Sequence, residues 1–182
     1  MLNNKGQQFE VFKLLIAAVV AVVILTLLLT IIGRINIFGQ GNPQDEAGKI
    51  VDALTPTRAV PRTSDQVIFN SNDGISNRGI ASKTRGSLSD EQVCVLKGDF
   101  SDPDDARFQY VPGKSVIYTG SSQQNAVVMA ICDTGSEMAT NSTYFDDYTA
   151  GKISSSWVSD CGCVNDQFNQ KCCVVALKKY TG

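Results

Sequence analysis

Histidine does not occur in this sequence. Its absence removes the commonest general base and the commonest metal ligand together, so Ser-His-Asp, Cys-His and histidine–zinc sites are excluded. Clustered basic residues are also missing. Of the 16 Lys+Arg and 18 Asp+Glu, only Lys5, Lys13 and Glu10 precede Gly33, which leaves 14 against 17 beyond it. Those 14 are scattered, and phosphate backbones are held by grouped Lys and Arg, so nucleic acid is not expected as a partner. Cysteine is absent before position 94, and no internal repeat or low-complexity tract interrupts the chain.

What the N-terminal part does contain is an uninterrupted apolar run. From Leu14 to Ile32 every residue is apolar except Thr26 and Thr30, whose hydroxyls can bond back to helix carbonyls. Nineteen residues at 1.5 Å each span roughly 28 Å, close to the ~30 Å hydrocarbon thickness of a bilayer. The run therefore predicts a membrane-spanning helix. Lys5, Lys13 and the amino terminus stand before it, while Arg34, Asp45 and Glu46 follow it. By the positive-inside tendency the N-terminus stays in the cytoplasm and the rest is exported. A cleaved secretory signal would end in small residues at spacing two, which Ile31-Ile32-Gly33-Arg34-Ile35 does not offer.

Ahead of the run stands Lys5-Gly6-Gln7-Gln8-Phe9-Glu10. This segment resembles the processing site of type IV pilin-like proteins, most closely the archaeal class III signal peptide. The resemblance covers about the first 33 residues. It implies that a prepilin-type peptidase cuts after Gly6 on the cytoplasmic side, leaving Gln7 as the first mature residue and the apolar helix in place. It further implies that the helix serves as an anchor and then as the packed core of a filament, with Glu10 and Lys13 acting in assembly. The plainer reading makes Lys5, Glu10 and Lys13 interfacial charges, with Lys13 snorkelling to the headgroups.

The fold expectation is α+β: a long N-terminal hydrophobic helix followed by a mostly antiparallel, β-rich domain with disulfides. The expected divisions are a leader over 1–6, the hydrophobic helix over 7–33, a juxtamembrane hinge and short amphipathic helix over 34–56, and an extracytoplasmic β-rich domain over 57–182. Gly33, Gly39, Gly41 and Pro43 mark the hinge, and Ala47, Ile50, Val51 and Leu54 fall at helical spacing behind Asp45 and Glu46. That short helix corresponds either to the upper part of a pilin's long helix or to an independent element lying on the domain. Val-, Ile-, Tyr- and Phe-rich runs predict strands over 66–70, 92–97, 108–111, 115–119, 126–132, 155–158 and 172–178. Asn72-Asp73-Gly74, Asp102-Pro103-Asp104-Asp105, Pro112-Gly113 and Thr134-Gly135 supply the turns.

Six cysteines lie in the domain: Cys94, Cys132, Cys161, Cys163, Cys172 and Cys173. An even count in a small exported domain reads as disulfides, at roughly 2–3 kcal/mol for a bridge closing a ten-residue loop. Fifteen complete pairings are possible. The favoured one joins Cys94 to Cys132 and ties Cys161 and Cys163 to Cys172 and Cys173 by two bridges. The alternative, a four-thiolate zinc or iron–sulfur site on the last four, lacks the usual two-residue knuckle gap. If Cys172 and Cys173 share a strand they also face opposite ways. Asp99, Asp102, Asp104 and Asp105 offer oxygens to calcium without a regular calcium loop and read as solvated turn carboxylates. Asn141-Ser142-Thr143 is a glycosylation sequon. Trp157, Tyr144, Phe145 and Tyr148 read as core rather than as a binding patch.

These features predict no catalytic residues, no cofactor and no metal. They point to a surface filament subunit or adhesive protein at the cell membrane, partnered by copies of itself or by other pilin-like subunits. A membrane-tethered binding domain that does not polymerise is the second reading, and a redox protein using the C-terminal cysteines the third.

Overall fold

The computed structural model describes residues 13, 15–25, 41–56, 60–98, 100, 105–140 and 157–180. The chain forms two units, 1–38 and 39–182. In the first, residues 15–25 are helical (α1), and its leucine, isoleucine and valine side chains are 46–59% exposed. Eleven residues make about 16 Å of helix. Among the described residues no helix is long and apolar enough to cross a membrane. The expected long helix is thus present only as this shorter segment, and its remainder falls outside the described residues.

The second unit is α+β with mostly antiparallel strands, as the sequence predicts. It opens with α2 (Pro43–Leu54), whose N-terminus is its own: the Asn42 side chain accepts from the Gln44 amide at 2.9 Å, and Pro43 occupies the first turn, where its missing N–H is not needed. Residues 41 and 42 are not helical, so of the two expectations for this segment the independent helix is the one found. Its apolar stripe of Ala47, Val51 and Leu54 is buried, against β1 (Arg62–Phe69) and β6 (Gln124–Thr134). At the other end of α2 the Lys171 ammonium donates to the Leu54 carbonyl at 3.4 Å and to that of Thr55, placing a cation at the negative end of the helix.

Two sheets build the core. The larger has the order β1, β6, β7 (Lys171–Lys179) and β3 (Val93–Leu96), with β7 and β3 parallel and the other pairs antiparallel. The smaller pairs β2 (Gly74–Ser76), β5 (Ser115–Tyr118) and β4 (Phe108–Val111), all antiparallel. Between β2 and β3 lies α3 (Asn77–Lys83), capped by the Ser76 hydroxyl, which accepts from the Gly79 amide. Gln44 of α2 accepts from the Ser76 amide at 2.8 Å and so fixes the start of α3. Among the described residues two short helices follow, α4 (Gly135–Thr140) and α5 (Trp157–Asp160).

The large sheet is buried on both faces, and the period of two along its strands assigns each residue to one of two apolar clusters. Val93, Val95, Val128, Ala130, Val175 and Leu177 face α2, α3 and the small sheet. There Phe69, Phe100, Phe108 and Tyr118 interlock, with Phe108 5.6 Å from Phe69 and 5.0 Å from Tyr118 between ring centres. Leu96, Ile131, Val174 and Ala176 face the other way, under Met138 of α4, Trp157 of α5 and Val164. Trp157 is 1% exposed and belongs to this core. The strand expected over 155–158 is not formed where the chain is described: Trp157 begins α5, because its indole fills the second cluster from a helical turn. Tyr144, Phe145 and Tyr148 lie outside the described residues.

Candidate functional site

Every cysteine is bridged: Cys94 to Cys161, Cys132 to Cys173 and Cys163 to Cys172. One of the two bridges expected between the C-terminal pairs, Cys163–Cys172, is present. The Cys94–Cys132 bridge is not, and the reason is the pleat. Cys132 faces the α2 side of the sheet and Cys94 the opposite side, so the sheet separates them. Cys132 and Cys173 are directly opposed on β6 and β7, with Cα atoms 4.1 Å apart, close to the spacing of the narrower antiparallel pairs. Adjacent Cys172 points away and reaches Cys163 in the coil after α5. The same alternation that argues against a four-thiolate site therefore also forbids two bridges from Cys172 and Cys173 into one coil.

The Cys94–Cys161 bridge holds the end of α5 against β3 and helps to shape a cleft of about 510 Å³. Asp90 and Glu91 come from the 3-10 turn before β3, Lys114 from the β4–β5 turn, Asp160 from α5, Asn77 from α3 and Phe168 from the coil before β7. Asp160 accepts from the Tyr110 phenol at 3.1 Å. Burial, then the charge of Asp160 and that hydrogen bond, push the phenol up to about 12, so Tyr110 stays a neutral donor throughout the ordinary pH range. Asp90 is 3.8 Å from Arg78, and its backbone carbonyl accepts from the Asn77 side-chain Nδ2 at 3.0 Å. The rim is thus anionic with one lysine. Away from it, burial holds the Lys171 ammonium below its usual range, against the opposing pull of Asp133.

The expected site residues divide sharply between the two units. Lys5, Gly6, Gln7 and Glu10 lie outside the described residues, as do Asn141, Asp99, Asp102 and Asp104. Lys13 is described; it is helical and exposed. Among the described residues no three His, Cys, Asp or Glu side chains are grouped to hold a metal ion. Sequence reading passed over the cleft, whose residues come from five separate segments. Its one local signal was Pro112-Gly113, which was legible as a turn.

No protein-family model matches the chain, and neither curated proteins nor solved structures provide a match.

Proposed function

We propose that this chain is a pilin-like surface filament subunit or adhesive surface protein, anchored in the cell membrane by its N-terminal helix with the disulfide-bridged unit outside the cytoplasm. The observation that carries the reading is the exposure of α1. Valine, leucine and isoleucine side chains on all its sides are 46–59% exposed. A soluble surface helix is apolar on one stripe only, whereas a helix apolar all round needs lipid or other apolar helices about it. The apolar sequence continues from Leu14 to Ile32 apart from two threonines, long enough for a bilayer, and Lys5-Gly6-Gln7 gives a prepilin-type peptidase its site. Three bridges fit an oxidising compartment.

A specific observation favours the second reading, a membrane-tethered binding domain that does not polymerise. The separate cap of α2 at Asn42 makes the domain's helix a distinct element from α1. The two readings part in one experiment on native protein: intact mass with N-terminal sequencing, then sedimentation in detergent and after its removal. A filament subunit begins at Gln7, keeps the apolar helix and assembles when detergent is withdrawn. A tethered domain begins at Met1 and stays a discrete small particle. An N-terminus beyond Ile32 overturns both.

A further inference from the structure

One wall of the cleft is fixed in advance. Cys161-Gly162-Cys163 is stapled at both ends, to Cys94 of β3 and to Cys172 of β7. Beyond it the coil is bonded to itself: Asn165 Nδ2 donates to the Gly162 carbonyl at 2.8 Å, and the Phe168 amide to the Asn165 carbonyl at 3.0 Å. Gly135 of α4 leaves room for the Phe168 ring, since a Cβ there would stand 2.9 Å from its Cδ1. A cavity built this way loses little conformational entropy when it is filled.

Gly162 is the position in that wall that folding does not explain. Its φ is not positive, and a Cβ on it would meet nothing within 4 Å. Gly113, which also lines the cleft, has both a left-handed φ and a close neighbour. A large side chain at 162 would extend into open space at the edge of the cleft, and glycine leaves that space to an occupant.

The lining defines the chemistry of the occupant. Asp90, Glu91 and Asp160 accept hydrogen bonds and repel phosphates and carboxylates, while Asn77 and Lys114 donate. Lys114, and Arg78 at 3.8 Å from Asp90, set two cations against these three carboxylates, so the cleft does not demand a strongly cationic ligand. Phe168 adds an apolar ring amid polar groups, a surface too broken for a lipid chain. A compact polyol meets all of these conditions together. Each hydroxyl donates to a carboxylate and accepts from an amide or ammonium, and the C–H face of a sugar ring lies against an aromatic one. The volume of about 510 Å³ falls within the roughly 300–1,000 Å³ of small-molecule sites. We propose that the cleft binds a neutral saccharide and is the adhesive site of this protein. The assignment rests on the surface-protein reading for its setting, but binding is measured on purified protein whether or not filaments form.

In the test, the oxidised full chain, detected through a C-terminal tag and kept in a detergent without a sugar headgroup, is applied to an array. The array carries neutral gluco-, manno-, galacto- and N-acetylglucosamine oligosaccharides, with sialyllactose as the anionic control and spermidine as the cationic one. We expect at least one neutral series to retain the protein and neither control to do so. Gly162→Trp should weaken that retention by about tenfold or more and leave the urea midpoint unchanged, because the indole enters open space. Glu91→Ala, at an exposed position, should weaken it by about tenfold, as for one lost hydrogen bond to a charged group. This second variant keeps a readout even where the tryptophan disturbs the strap. Retention by no neutral series, preferential retention by spermidine, or full retention of both variants overturns the proposal. Saccharide binding without filaments would remove the polymerising reading and leave this one standing; filaments without saccharide binding would do the reverse.

Discussion

Single residues in this molecule show how far a local signal reaches. Pro112-Gly113 reads as a turn in any sequence, and the structure places a turn there, with Gly113 at φ +70°. The reason for glycine, however, comes from 47 residues away. A Cβ at position 113 would sit 2.2 Å from the Asp160 carbonyl oxygen, and the Gly113 carbonyl accepts from the Val95 amide at 3.1 Å. The turn is wedged between β3 and α5, and neither neighbour is the free end of a flexible side chain. Gly113→Ala is therefore expected to lose at least ~2 kcal/mol from the left-handed backbone and the clash together. Urea denaturation of the oxidised protein checks this. A midpoint unchanged from the natural protein would show that α5 can move away, and hence that the cleft beside it is pliable. Lys171 teaches the same lesson: nothing near it in sequence indicates that its ammonium closes the end of a helix more than a hundred residues earlier.

Elements were legible in proportion to their length and the clarity of their period. β6 and β7, eleven and nine residues long, carry runs of Val, Ala, Ile and Leu that read as strands at once, and β4 is found where its aromatic and β-branched residues predict it. β2 and α3 were missed. The first has three residues, and the second, Asn-Arg-Gly-Ile-Ala-Ser-Lys, shows only Ile80 and Ala81 to the core, too little for a helical period to register. Period two also held the disulfide pattern in part: it sends Cys172 and Cys173 to opposite faces, but which residues wait on each face depends on sheet order, which sequence does not state. From this arrangement the bridges rank in strength. Considered alone, Cys132–Cys173 closes a 41-residue loop and Cys163–Cys172 a loop of nine, corresponding to about 4 and about 2.5 kcal/mol of restricted unfolded chain. Replacing Cys132 and Cys173 together by alanine should lower the denaturation midpoint more than replacing Cys163 and Cys172. The reverse order would mean that the coil before β7 depends on its bridge for native packing.

At the scale of the whole molecule, one unit holds both apolar clusters and all three bridges, and the other bears an apolar helix that is exposed. Composition made this division visible, because a run of apolar residues and a polar-interspersed domain call for different solvents. The role of the charges at the boundary follows from the proposed filament. In a bundle of apolar helices an unpaired carboxylate is costly, so Glu10 needs a cation. The amino group of a processed Gln7 on a neighbouring subunit is one candidate. Lys13, three residues on in the sequence, is the other. Glu10→Gln keeps the shape of the side chain and removes its charge, so membrane insertion should be unchanged while filament yield falls. Carbonate extraction of membranes reads the first, and electron microscopy of sheared surface material reads the second. Normal filaments from the variant would make the charge dispensable and leave α1 packing alone as the assembly force. Loss of insertion would instead assign Glu10 to the membrane boundary, as the tethered-domain reading requires.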